Sequence, residues 1–196
     1  LDVDPRDGSI WGVRHYNGYA SIARLLPPFD EWDQVATFDY GDFAYDLDLA
    51  PDGEKLVAAV MTPSGRADVR VWHTDDLVNS IPDSTDALDV PLTRFDFGST
   101  TPLNFVFTPD GEALVGSSTL TGVSNLFRYS LEREEWEALT NTETGLFRPL
   151  PVDDDEVIAF RFSGEGFVPS RLTVAPLESL EAISLYGARV FEEQPQ

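Results

Sequence analysis

Apolar and polar residues alternate along most of this chain in short runs, and nearly every run ends at a cluster of turn-forming residues. A period of two sends successive side chains to opposite faces of a strand. On that basis residues 1–4, 9–15, 19–25 and 34–38 are predicted strands. Asp7-Gly8 and Asn17-Gly18 supply hairpin turns between them, and Pro27-Pro28 interrupts the pattern. The same four-strand phrase then returns over 45–49, 55–61, 68–73 and 90–95, and again over 103–107, 113–118, 125–130 and 135–139. A fourth copy runs over 147–152, 156–162 and 171–174, with a last strand placed within 181–186. Helical spacing is confined to two short stretches between strands, 75–81 and 177–183.

The copies share landmarks. Asp7, Asp52, Asp110 and Asp154 mark the first turn of each phrase and stand 45, 58 and 44 residues apart. The longer spacing comes from an insertion over 74–89, between the third and fourth strands of the second copy. A second landmark keeps the same order at the joints, where Phe38-Asp39-Tyr40-Gly41 recurs as Phe95-Asp96-Phe97-Gly98. Four short strands per repeat of about 40–50 residues define β-propeller blades. The predicted fold is therefore all-β, with about four blades of four antiparallel strands over 1–38, 39–95, 96–142 and 143–186 and a tail at 187–196. Blade sheets are covered on both faces, so their strands carry large apolar residues. Val57, Val60, Val69, Val71, Trp72, Phe105, Phe107, Leu126, Phe127, Val157, Ile158 and Phe160 answer that demand, and Trp11, Trp32, Trp72 and Trp136 are expected between blades.

Charge narrows the partners. Thirty-five acidic residues oppose 13 basic ones, of which only Lys55 is lysine, for a net charge of −22. Nucleic acids and anionic membranes both require clustered basic side chains, so neither is an expected partner. The lysine-poor acidic surface fits a salt-rich habitat, a high-GC codon bias or an ordinary solvated acidic face. No apolar run reaches 18 residues, so no membrane span is expected. Without cysteine there is neither a disulfide nor a thiolate metal site. The chain opens at Leu1 inside a strand with no leader pattern, as a fragment or a processed product would.

Catalytic signatures are weak. Asp2, Asp4 and Asp7 have acidic spacing, but counting from Asp2 the sixth and twelfth places of a calcium loop fall on Asp7 and Val13, and counting from Asp46 the twelfth falls on Val57. Asp46 and Asp48 share a strand face if alternation is strict, and on an inner strand they would face the central channel. A calcium ion could then bind there; no other cofactor is expected. His15 and His73 lie at strand ends in different blades, without metal-ligand spacing. No Gly-x-Ser-x-Gly elbow occurs, and Gly164-Glu165-Gly166 lacks the strand-to-helix context of a dinucleotide loop. What remains is a binding surface. Loops and inner-strand starts at one channel mouth bring together Tyr40, Asp42, Tyr45, Asp46, Asn104, Phe147 and Arg148, aromatic and polar groups suited to a protein or peptide partner.

The phrases Leu49-Ala50-Pro51-Asp52-Gly53-Glu54-Lys55-Leu56-Val57 and Phe107-Thr108-Pro109-Asp110-Gly111-Glu112-Ala113-Leu114-Val115, with Leu139-Thr140-Asn141-Thr142 leading to Phe147-Arg148-Pro149, resemble the TolB-like, WD-repeat-related β-propeller family. The first and fourth turns depart from its phrase. Arg6 stands where proline is expected, and Val152-Asp153-Asp154-Asp155 lacks the glycine, so both turns are expected to be looser. The resemblance implies a periplasmic or cell-envelope location and a non-catalytic scaffold that binds a protein or peptide partner within a larger bacterial protein. It also admits the gating propeller of a prolyl-oligopeptidase-like hydrolase, or a calcium-dependent lactonase-like enzyme. Family members usually carry six to eight blades. Four would leave open blade faces, to be covered by the rest of a larger propeller or by a second copy in a two-fold ring.

Overall fold

The computed structural model describes residues 1–178. The predicted strand within 181–186 and the tail at 187–196 lie outside the described residues, as does most of the helical stretch 177–183. The described chain is all-β apart from two short helices. Strands β1 (Asp2–Val3), β2 (Ile10–Tyr16), β3 (Tyr19–Leu25) and β4 (Trp32–Thr37) form one antiparallel meander. β5 (Phe43–Leu49), β6 (Lys55–Met61), β7 (Ala67–His73) and β8 (Thr93–Asp96) form the second. β9 (Leu103–Phe107), β10 (Ala113–Ser118), β11 (Asn125–Ser130) and β12 (Glu135–Ala138) form the third. β13 (Leu146–Pro151), β14 (Glu156–Ser163) and β15 (Gly166–Thr173) form a sheet of three described strands. These are the successive blades of a partial β-propeller.

The insertion of the second blade folds into α1 (Thr74–Val78) and α2 (Asp86–Asp89). Leu77 and Leu88 are buried from them beside Trp72, whose indole N–H donates to the Leu88 carbonyl at 3.2 Å. β15 begins five residues earlier than the alternation predicts. The tight Gly164-Glu165 turn lets pairing start at once, with Ser163 opposite Gly166. Pro169 is accommodated because β15 is an edge among the described strands, where a missing N–H breaks no ladder.

The blades meet through three apolar layers. Trp11, Ile22, Ala36 and Phe38 of the first pack on Leu56, Val60 and Trp72 of the second. Val57, Val69 and Val71 of the second pack with Phe105, Phe107 and Phe127 of the third. Val115, Leu126 and Leu139 of the third pack on Leu146, Val157 and Ala159 of the fourth. Each fully buried Val, Leu, Ile or Phe side chain among them contributes about 1.5–3 kcal/mol. In the middle layer Phe95 stacks on Tyr129 at 3.9 Å, and the Tyr129 hydroxyl lies 2.8 Å from Thr93 Oγ1.

Two predicted core residues are not buried. Ile158 is 38% and Phe160 39% exposed, whereas Val57, at the position of Ile158 in the second blade, is 0% exposed. Val57 has the third blade against it. Among the described residues nothing covers the corresponding face of the fourth. Of the tryptophans, Trp11 and Trp72 are buried between blades as predicted, Trp32 is half-buried, and Trp136 is exposed at its sheet edge while still touching Phe97 and Phe127.

The expectation of looser first and fourth turns is corrected. The first turn contains Pro5 at the place of Pro51, with the glycine one residue later. Arg6 donates through Nη2 to Asp4 Oδ2 at 2.8 Å and to Thr74 Oγ1 at 3.0 Å, tying the first blade to the second. Burial opposes ionisation of Asp4, but the bonds from Arg6 win and hold its carboxyl below the usual carboxylate range. The fourth turn is one residue shorter and closes through Val152 N to the Glu156 carbonyl at 2.8 Å.

Candidate functional site

Each first turn closes with the same backbone bond. Asp4 N donates to Ser9 O, Ala50 N to Lys55 O, Thr108 N to Ala113 O and Val152 N to Glu156 O. Counting back from these donors aligns the inner strands. Asp46, Asn104 and Arg148 share one position, and Asp2, Asp48, Val106 and Leu150 share another. All three residues of the first set have a positive φ, at 54°, 53° and 49°. The cause is a bulge that recurs in every inner strand where this position is present. Tyr45 pairs with Ala59 but Asp48 with Val57, and the same shift falls between Phe147 and Leu150 and opposite Val115 and Ser117. A bulge re-aims side chains at a strand edge, and left-handed backbone at non-glycine residues concentrates at functional sites.

The bulge corrects the alternation argument for Asp46 and Asp48. The strict period of two is lost between them, and each carboxylate has its own partner across the seam. Asp46 accepts from Asn104 N at 2.7 Å and from Asn104 Nδ2 at 2.9 Å. Asp48 Oδ2 accepts from Phe107 N at 2.8 Å. One blade earlier, Asp2 Oδ2 accepts from Leu49 N at 2.8 Å. Burial, only partly offset by the Phe107 N–H and aided by the nearby Asp2 carboxylate, pushes Asp48 up to about 7. Among the described residues no group of three or more His, Asp and Glu side chains is arranged to hold a metal ion.

The predicted mouth residues separate into two clusters joined by a bridge. Tyr40 is exposed and packs edge-on against Tyr19 at 5.3 Å. With Asp42, Pro63, Arg70 and Arg94 it lines a polar cavity of about 610 Å³ beside the first and second blades. Burial raises the Asp42 carboxyl above its ordinary value, with Arg70 opposing. Tyr45 is the bridge. Its hydroxyl donates to the Pro102 carbonyl at 3.1 Å, and burial, with Asp46 adding, pushes it up to about 12. Its ring lies 5.9 Å from Phe43, which stacks on His15 at 4.4 Å.

The second cluster lies at the inner edge of the fourth blade, on the face turned away from the third, with Asn104 reaching it from the third. Asn104, Phe147, Arg148, Phe160 and Phe167 line a mostly apolar cavity of about 380 Å³. Phe147 meets Phe167 edge-on at 5.3 Å, and Phe162 meets Phe167 at 5.4 Å. Sequence reasoning misses Phe167 and misplaces Phe160 in the core, because alternation marks an apolar face without saying whether anything covers it. The shared position of Asp46, Asn104 and Arg148 is, by contrast, legible by counting back from the turns.

No protein-family model matches this sequence, and a search of curated proteins found no match. Solved structures do match. A TolB-type protein of Agrobacterium tumefaciens superposes with a TM-score of 0.63 at 12% identity, over 89% of this chain and 65% of its own length. TolB of Acinetobacter baumannii matches with a TM-score of 0.60 at 15% identity, over 89% of this chain and 42% of its own. A puromycin hydrolase matches with a TM-score of 0.61 at 16% identity, over 86% of this chain and 28% of its own. The chain thus has the fold of the TolB-like β-propellers and spans less than two thirds of each of these proteins.

Proposed function

We propose that this chain is a non-catalytic propeller scaffold that binds a protein or peptide partner at the inner-strand mouth of its blades, within a larger envelope-associated bacterial protein. One observation carries the reading: a recurring bulge holds Asp46, Asn104 and Arg148 in left-handed backbone at one position of successive blades. The neighbouring aromatic residues supply contact area of the kind interfaces favour. The envelope location follows from the resemblance to TolB. No described helix is long and apolar enough to cross a membrane, which leaves β-barrels unaddressed. A photo-crosslinking side chain at position 40 should trap one discrete partner, and the same group at the opposite end, at position 52 or 110, should not. Identical crosslinking from both ends would defeat the proposal.

The similarity to a puromycin hydrolase supports a second reading, in which the chain is the non-catalytic gating propeller of a prolyl-oligopeptidase-like hydrolase. An α/β-hydrolase domain encoded in the same polypeptide would favour it. A lactonase-like activity would instead require calcium at Asp46 and Asp48. Because N–H donors already occupy both oxygens of Asp46 and one of Asp48, millimolar calcium is expected to leave the melting temperature unchanged. A calcium-dependent rise, with esterase activity lost to chelator, would reverse this assignment.

A further inference from the structure

We infer that the cavity at the inner edge of the fourth blade captures the C-terminal residue of a peptide, with its carboxylate on Arg148 and an apolar side chain among Phe147, Phe160 and Phe167. The inference rests on the protein-binding reading and names its ligand chemistry.

Charge is the first argument. In a chain with 35 acidic residues and 13 basic ones, an arginine has abundant intramolecular partners. Of the eleven arginines among the described residues, Arg6, Arg70, Arg128, Arg133 and Arg171 take them, and Arg14, Arg24, Arg66, Arg94, Arg148 and Arg161 do not. Of these six, Arg148 is the one that lines the apolar cavity, where it is exposed. Its guanidinium offers a planar fork that fits a carboxylate through two parallel N–H bonds.

Hydrogen-bond accounting is the second. Asn104 Nδ2 is committed to Asp46 Oδ1 at 2.9 Å, which fixes the amide and turns its Oδ1 away from that bond as a free acceptor. A peptide presents one N–H next to its C-terminal carboxylate, the donor this oxygen lacks. Asn104 and Arg148 occupy the same position in adjacent blades, both re-aimed by the bulge, so acceptor and cation stand at neighbouring points of one mouth.

Shape is the third. About 380 Å³ lies within the roughly 300–1,000 Å³ typical of small-ligand sites and admits one large side chain. The edge-on contact of Phe147 with Phe167 leaves aromatic surface for an inserted ring or branched aliphatic group. Capture of a C-terminal carboxylate is an established mode of peptide recognition on other scaffolds.

Calorimetric titration of the full chain with the tetrapeptide acetyl-Gly-Ala-Ala-Phe tests this. The free acid should bind saturably, and the C-terminal amide roughly tenfold more weakly, since a charge-assisted pair becomes a neutral one. Arg148→Gln should abolish the difference between acid and amide, and Phe167→Ala should weaken both peptides while leaving their ratio intact. Added salt should narrow the difference. Melting curves of the variants confirm that they fold. Equal binding of acid and amide, an acid-to-amide ratio untouched by Arg148→Gln, or no binding of the free acid at millimolar concentration would overturn the inference. N-acetylphenylalanine binding as tightly as the tetrapeptide would also overturn it, by naming a small acid as the occupant. If the free acid fails to bind while crosslinking from position 40 to a partner persists, the C-terminal capture falls and the protein-binding reading stands.

Discussion

Gly53 lies in the second turn at a φ of +74°, and a Cβ placed there would come within 2.6 Å of Arg6 Nε and Asp4 Oδ1. The residue is glycine for two reasons at once, a left-handed backbone and the close approach of the bond network that joins the first blade to the second. Gly53→Ala should cost about 1–2 kcal/mol from the backbone alone, read as a lower urea midpoint; an unchanged midpoint would show that the network shifts freely. Asp46 poses the reverse case. Asp46→Ala removes the acceptor of two Asn104 donors and should cost about 1–3 kcal/mol. Asp48 carries a pH signature. Its folded-state carboxyl titrates at about 7, above the ordinary carboxylate value, so the folded state holds its proton longer than the unfolded chain does. Stability from this group is therefore present at acidic pH and is lost as pH rises from the ordinary carboxylate range through about 7. Asp48→Asn keeps an acceptor for Phe107 N and has no proton to lose. Urea unfolding from pH 4 to 8 should show a smaller decline in the variant than in the parent chain; parallel declines would refute the assignment.

At the level of blades, the chain solves one seam problem in two ways. In the first two seams an inner-strand aspartate accepts a backbone N–H of the next blade, Asp2 from Leu49 and Asp48 from Phe107. In the third seam the acceptor position is Val106 and the donor position is Pro151, which has no N–H. Both partners are replaced together, so no buried donor or acceptor is stranded. Removing a bonded pair as a unit is nearly neutral, whereas removing one member is costly. The equivalence of Val57 and Ile158 supplies a matched test of burial. Val57→Ala opens a cavity between two blades and should cost on the order of 2 kcal/mol. Ile158→Ala, on a face that no described residue covers, should cost well under 1 kcal/mol by chemical denaturation. Equal losses would mean that the fourth sheet is covered in solution.

For the whole molecule, that face is an apolar surface that no described residue covers. Leu150, Ile158 and Phe162 are exposed together on the fourth sheet, beside the cavity that holds Phe160 and Phe167. A contiguous apolar surface of this kind marks an interaction site. We propose that it is met by a second copy or by further blades, against the repulsion of a net charge of −22. Salt screens that repulsion while leaving apolar burial in place. Light scattering at micromolar concentration should therefore give a mass above that of one chain, rising from low to molar salt. A single-chain mass at all salt concentrations, with no dye-detectable apolar surface, would rule out an open face.

The amino-acid sequence by itself determined the strands, the turns and the propeller class, because these are local. Alternation sets faces, Asp-Gly and Asn-Gly set hairpins, and the repeat spacing sets the blade. Even the common position of Asp46, Asn104 and Arg148 can be counted from the turns. The tertiary structure alone decided what each position touches. Alternation cannot show a bulge, since the extra residue leaves composition unchanged, and so it paired Asp46 with Asp48 when each bonds across the seam instead. Nor can it tell Val57 from Ile158, two apolar residues at one place in the repeat. Burial is a property of the neighbouring sheet: the third blade lies against Val57 while no described residue covers Ile158, and Phe160 and Phe167 line a cavity with Arg148.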